Sequence, residues 1–156
     1  MNMVSEMEKF IVRKEVKINA DISKVWDALT NPEMTRKYFF GCRVYSEWKE
    51  GSPIEFKDDT GNAVVRGNII KIKAKKLLEY TVFNLESGLR FNPSDFSIIT
   101  DELSFDHGIT TLLITDDVGN APGAKERYKK SEKGWASILK GLKKLLEDNG
   151  HPGSLN

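Results

Sequence analysis

An α+β fold in which a curved antiparallel sheet wraps around a long C-terminal helix, the helix-grip arrangement β-α-α-β6-α, is predicted by three observations. From Tyr128 to Leu146 apolar residues recur three and four positions apart, so that Tyr128, Trp135, Ile138, Leu139, Leu142, Leu145 and Leu146 share one broad stripe while Lys130, Lys133, Lys140 and Lys144 lie opposite. The segments before that helix are mostly strand-like and are separated by turn residues. Their order is one strand, two short helices, about six strands and the long helix, which excludes alternating α/β folds. A stripe this wide has to be buried. A helix laid across a curved sheet encloses a cavity, and function is to be sought there.

The elements follow in order. Phe10 to Ile18 keeps Phe10, Val12, Val16 and Ile18 on one face and reads as a first strand. Asp21 caps a short helix with Ile22, Val25, Trp26 and Leu29 at helical spacing; Asn31-Pro32 ends it and starts a second piece to about Tyr38. The aromatic run Tyr38, Phe39, Phe40 leads through Gly41 into a strand from Cys42 to Trp48. Hairpin signals at Glu50-Gly51-Ser52 and Asp58 to Asn62 bound strands Pro53 to Lys57 and Ala63 to Lys73, and Leu77 to Leu85 follows. Glu86 to Ser97, with Gly88 and Pro93, reads as a mobile rim. Ile98 to Asp106 and Thr110 to Thr115 form a last hairpin, Asp116 to Lys125 a connection, and Asn149-Gly150 the helix stop. Residues 1–156 read as one domain with flexible ends at 1–9 and 150–156.

With 156 residues and a formal net charge of +1, the chain is large enough for one core and carries no field that argues for nucleic acid or an anionic membrane. Cys42 is the only cysteine, which removes internal disulfides and cysteine-rich zinc sites and fits a cytoplasmic setting. No apolar run is long enough to span a bilayer. The sequence lacks HExxH, a phosphate-binding glycine loop, a GxSxG elbow and a Cys/His pair, so no catalytic residues, cofactor or metal are expected. His107 reads as a turn residue, His151 as part of the tail, and Cys42 as a buried small side chain.

Three features leave alternatives open. Asp101 shares parity with Ile99, Leu103 and Phe105; either it points inward, where desolvation raises its pKa, or it marks a strand end at the rim, the plainer reading. Arg66 and Arg90 are forks for an anionic ligand or ordinary surface residues. Gly134 and Gly141 lie nearly in line at the stripe's edge, and each costs about 1 kcal/mol against alanine. Close packing is the favoured offset, and volume left for a ligand the other.

Three pieces of the C-terminal half, Thr100-Asp101-Glu102-Leu103, Thr110 to Thr115 (TTLLIT) and Ser131-Glu132-Lys133-Gly134-Trp135 with the leucines beyond, resemble proteins related to the activator of the 90-kDa heat-shock protein ATPase. Those belong to the START-like, birch-pollen-allergen-like superfamily. Ile18-Asn19-Ala20 and Ser23 to Thr30 with Pro32 are similar to that superfamily's first strand and helix. The resemblance implies the β-α-α-β6-α fold and a deep pocket used for hydrophobic small molecules.

The leading expectation is therefore a non-catalytic binding protein for a small hydrophobic or amphipathic molecule. Its cavity-lining candidates are Trp26, Tyr38, Phe40, Trp48, Phe56 and Tyr80 from the first two-thirds of the chain. Asp101, Leu103, Phe105, Trp135 and Leu139 complete the set, with Asp101, Tyr80 or Arg66 as polar anchors. The alternatives are a module that docks on a chaperone, using charged residues and a rim near Phe91 and Phe96, and a cyclase- or dehydratase-like cavity enzyme with Asp101 or Tyr80 as proton carrier.

Overall fold

In the computed structural model, residues 10–85 and 96–150 are described, with side chains to residue 148. The chain runs β1 (Phe10–Ile18), α1 (Ile22–Thr30), α2 (Pro32–Tyr38), β2 (Arg43–Ser46), β3 (Pro53–Lys57), β4 (Ala63–Lys73), β5 (Leu77–Asn84), β6 (Ser97–Asp106), β7 (Ile109–Gly119) and α3 (Ala124–Gly150). The seven strands form one antiparallel sheet in the order β1-β7-β6-β5-β4-β3-β2. Strands β2 to β7 are a meander, and β1 closes the far edge by pairing with β7, Lys14 opposite Ile114. The α+β helix-grip fold is as the sequence predicts.

Local chemistry explains the corner. Asp21 accepts the Ser23 N–H at 3.1 Å to start α1. Asn31 then serves two helices: its N–H donates to the Asp27 carbonyl at 2.8 Å, ending α1, while its side chain accepts the Glu33 N–H at 2.9 Å above Pro32, starting α2. Buried Thr35 fastens α2 to the sheet, since its hydroxyl oxygen accepts the Val44 N–H at 3.0 Å.

Curvature has a residue behind it. At Gly67 in β4 a Cβ would stand 1.6 Å from the Thr81 carbonyl oxygen of β5, and the β4–β5 register shifts between Ile69 and Lys71. Only glycine permits so close a backbone approach, which bends the pair.

On β7, Thr110, Leu112, Ile114, Asp116 and Val118 all face the helix layer and are buried. Leu142 of α3, fully buried, lies at the centre of that layer. Three boundaries differ by several residues or by a turn from expectation. Strand β7 continues to Gly119 and α3 begins at Ala124, because the inward alternation of β7 persists through Asp116 and Val118. Strand β2 stops at Ser46, because Trp48 takes φ +58° in a turn where the Ser52 hydroxyl donates to the Lys49 carbonyl at 2.7 Å. Of the expected flexible ends 1–9 and 150–156, Gly150 instead closes α3; the rest, with most of the Glu86 to Ser97 rim, Arg90, Phe91 and His151, lies outside the described residues.

Candidate functional site

Two spaces separate α3 from the sheet, and they differ in kind. Toward the start of α3 lies a cavity of about 470 Å³, within the size range of small-molecule sites. Phe56, Val65, Tyr80, Val82, Ile99 and Ile138 give it an apolar wall. Asp116, Arg127, Lys130 and Ser131 give it a polar one. Gly134 also lines it, and a Cβ built there meets none of the described residues within 4 Å. Further along α3 a hollow of about 20 Å³, room for roughly one water, is lined by Tyr38, Asp101, Leu112, Leu139 and Leu142 among others. Phe39, Phe56, Tyr80, Trp135 and Ile138 border both spaces.

The polar wall is assembled by two periodicities. Asp116 faces inward because it keeps step with Leu112 and Ile114 along β7. Ser131 and Trp135, one helical turn apart on α3, both reach its Oδ2: the Ser131 hydroxyl donates to it, and the Trp135 Nε1–H donates at 2.9 Å. Its Oδ1 is buried without a hydrogen-bond partner among the described residues. Burial pushes the Asp116 carboxyl above the ordinary range, while the bonds from Ser131 and Trp135 pull it back. Arg127 straps the connection to β7, donating from Nη1 to the Pro122 carbonyl at 3.1 Å and from Nη2 to the Val118 carbonyl at 3.5 Å. Its Nε–H, also buried, has no partner among the described residues.

Asp101 sits in the small hollow. It is only 3% exposed, lies between Leu78 and Ile114 on the neighbouring strands, and leaves its Oδ1 unpartnered among the described residues. Burial pushes its carboxyl up to about 7. The rim reading is therefore corrected: Asp101 points inward, because it lies in mid-strand with buried Ile99 and Leu103 on its face. The Tyr38 hydroxyl donates to the Ala28 carbonyl at 2.6 Å, and burial, then the Asp101 charge, raises its pKa.

The structure brings together seven of the residues singled out from the sequence. Phe56, Tyr80 and Trp135 stand between the two spaces, Tyr38, Asp101 and Leu139 line the hollow, and Phe40, two-thirds exposed, edges the cavity. Trp26, Trp48, Leu103 and Phe105 line neither. Trp26 packs half-buried on α1, and Leu103 fills the core. Trp48 lies in the turn after β2, and Phe105, near the β6–β7 turn, is 46% exposed. Arg66 points outward and donates to Glu55 at 2.8 Å instead of facing the cavity. Phe96 is half-buried against Phe83, ring centroids 5.7 Å apart, so it forms no exposed aromatic rim.

Sequence reasoning missed Asp116, Ser131 and Arg127, and it set Lys130 opposite the buried stripe, whereas Lys130, at the stripe's edge, lines the cavity. The legible signal was the alternation of Thr110, Leu112 and Ile114, which extends to Asp116, and the four-residue spacing of Ser131 and Trp135. The two glycines divide the readings offered for them. At Gly141 a Cβ would lie 3.4 Å from the Tyr38 Cβ, in ordinary van der Waals contact, so α2 packs against the helix there without demanding glycine, whereas Gly134 leaves volume among the described residues. Among the described residues, no group of three or more His, Cys, Asp or Glu could hold a metal ion, and no helix is long and apolar enough to cross a membrane.

Residues 19–147 match the family described as "Activator of Hsp90 ATPase homolog 1-like protein". No curated protein sequence matches the chain. Among solved structures, a Cytophaga hutchinsonii protein determined in solution is 36% identical, covering 92% of this chain and 99% of its own, with a TM-score of 0.74. The Aha1 dimer of Colwellia psychrerythraea is 19% identical over 88% of this chain and 96% of its own, TM-score 0.71. An HSP90 activator of Plasmodium falciparum is 18% identical with the same coverages and a TM-score of 0.68. The last two likenesses concern the fold alone.

Proposed function

The chain belongs to the activator of Hsp90 ATPase homolog 1-like family, and from that premise we propose that it is a non-catalytic binding protein whose cavity between α3 and the sheet receives a small hydrophobic or amphipathic molecule. The observation that carries this reading is Gly134. A glycine inside a helix costs about 1 kcal/mol against alanine, and here no close neighbour among the described residues demands it. What the missing side chain provides is volume, bordered by Trp135 and Ile138. Aliphatic and aromatic amphiphiles bound there raise the unfolding temperature in proportion to the logarithm of their free concentration. Native mass spectrometry of the purified protein is expected to show one ligand per chain. A panel of such molecules that yields neither an adduct nor a thermal shift removes the reading.

The family match also favours a second reading, in which the chain docks on an Hsp90-type chaperone and stimulates its ATPase. A pull-down with the cognate chaperone and a turnover assay decide it. Unchanged turnover at saturating protein excludes stimulation.

A further inference from the structure

One face of α3 packs on the sheet and walls the cavity, and the other carries Lys129, Lys133, Lys140 and Lys144, all exposed and none lining either space. Their spacings of four, seven and four residues keep them in one stripe, about 22 Å from first to last. None of them makes an ion pair among the described residues. Two carboxylates near them in sequence are turned elsewhere. Glu132 accepts from the Tyr128 hydroxyl at 3.2 Å, and Glu147 is held by Lys143 and by the Asn19 N–H, both at 2.8 Å.

Intrahelical pairing does not account for this row. Lys129 and Lys133, like Lys140 and Lys144, stand four residues apart, the spacing at which like charges repel on a helix. The last turn, where cations complement the helix dipole, has no basic residue. Nor does the row sample a basic surface: the whole chain has a formal net charge of only +1, so everything outside the row is net acidic.

We propose that this stripe docks an acidic segment of a partner polypeptide lying along α3. The choice among polyanions follows from extent and chemistry. An extended segment of about seven residues spans the row at about 3.3 Å per residue and keeps its carboxylates on it. A nucleic-acid duplex or a lipid surface reaches past the helix onto the net-acidic remainder. The row offers neither an arginine fork nor an exposed aromatic ring for a base. A helix lying on a membrane inserts its apolar face, and that of α3 is already buried against the sheet. Carboxylates facing the lysines act on encounter rate and on the choice of partner. The stripe lies away from the cavity, so the proposal is independent of the ligand reading.

The test is fluorescence anisotropy of a labelled seven-glutamate peptide titrated with the full chain at about 20 mM salt, where surface charges are least screened. Saturable binding is expected, weakened about tenfold in the triple variant Lys133→Gln, Lys140→Gln, Lys144→Gln. The triple variant Lys71→Gln, Lys73→Gln, Lys76→Gln makes the same charge change at exposed positions around the β4–β5 turn and is expected to lose less than about twofold. In the wild-type protein, backbone amide shifts on adding the peptide are expected to cluster between residues 129 and 144, which localises the contact even if a variant does not fold. Equal losses in the two variants, shifts spread over the whole surface, or no saturable binding overturn the proposal. So does tighter binding of a DNA duplex or of phosphatidylserine vesicles that the α3 variant abolishes, which assigns the row to phosphate. None of these outcomes alters the cavity reading.

Discussion

The two halves of the gap beneath α3 each hold a buried aspartate of the sheet and a glycine of the helix, and they come out differently. In the far half Gly141 lies under Tyr38, Leu142 is sealed from solvent, and only about 20 Å³ remains beside Asp101. In the near half Gly134 faces open space, and about 470 Å³ remains beside Asp116. The difference lies in what faces the helix. Helix α2 delivers Tyr38 onto Gly141, whereas no element reaches Gly134 among the described residues, and Gly67 bends β4 against β5 on that side. One helix thus serves as core at one end and as the wall of a cavity at the other.

The largest effect expected from this contrast is electrostatic and belongs to the tight half. Asp101 is held near 7 against an ordinary 3.8, so the folded state keeps its proton more firmly than the unfolded chain. The associated stability is full below about pH 4 and is lost as pH rises through 7, amounting to about 4 kcal/mol for a shift of that size. Urea unfolding of Asp101→Leu from pH 4 to 8 is expected to lack this decline, so the variant's advantage over the wild type grows with pH. A pH-independent difference between the two proteins contradicts the buried, protonated carboxyl.

Next in size, Leu142→Ala removes a fully buried side chain where nothing can collapse and is expected to cost about 3 kcal/mol, against about 1 kcal/mol for Val82→Ala on the wall of the wide half. Equal losses in denaturant titrations erase the distinction. The glycines sharpen it further. Gly141→Leu has to displace Tyr38 and should cost about 2 kcal/mol, whereas Gly134→Leu should fold with nearly wild-type stability and fill the cavity. The smallest effect is a gain: Gly134→Ala adds about 1 kcal/mol through helix propensity alone, seen as a raised unfolding midpoint.

Most of the fold was legible because local signals agreed with one another. Asp21, Asn31 and Pro32 mark the helix starts, the turn residues fix strands β3 and β4 to the residue, and the apolar stripe places α3. The cavity was less so. Asp116-Asp117 before a Gly- and Pro-containing stretch has the composition of a turn, and only the continued alternation on β7 shows that Asp116 faces inward. Trp26, Trp48 and Phe105 are aromatic residues of the sort that line pockets, yet a sequence does not say where the helix ends its cover of the sheet. Gly134 and Gly141 are alike in local sequence terms. Their fates differ because Tyr38, about a hundred residues away, packs on one and not on the other.

Trp135 borders the wide half while Trp26 and Trp48 do not, which makes the central claim directly measurable. In a Trp26→Phe, Trp48→Phe variant, fluorescence from Trp135 is followed during titration with 11-bromoundecanoic acid, whose bromine quenches only at short range. Saturable quenching at one molecule per chain, abolished by adding Gly134→Leu, is the result the open half predicts. Quenching that never saturates, or that persists unchanged with Gly134→Leu, contradicts a ligand cavity beside Trp135.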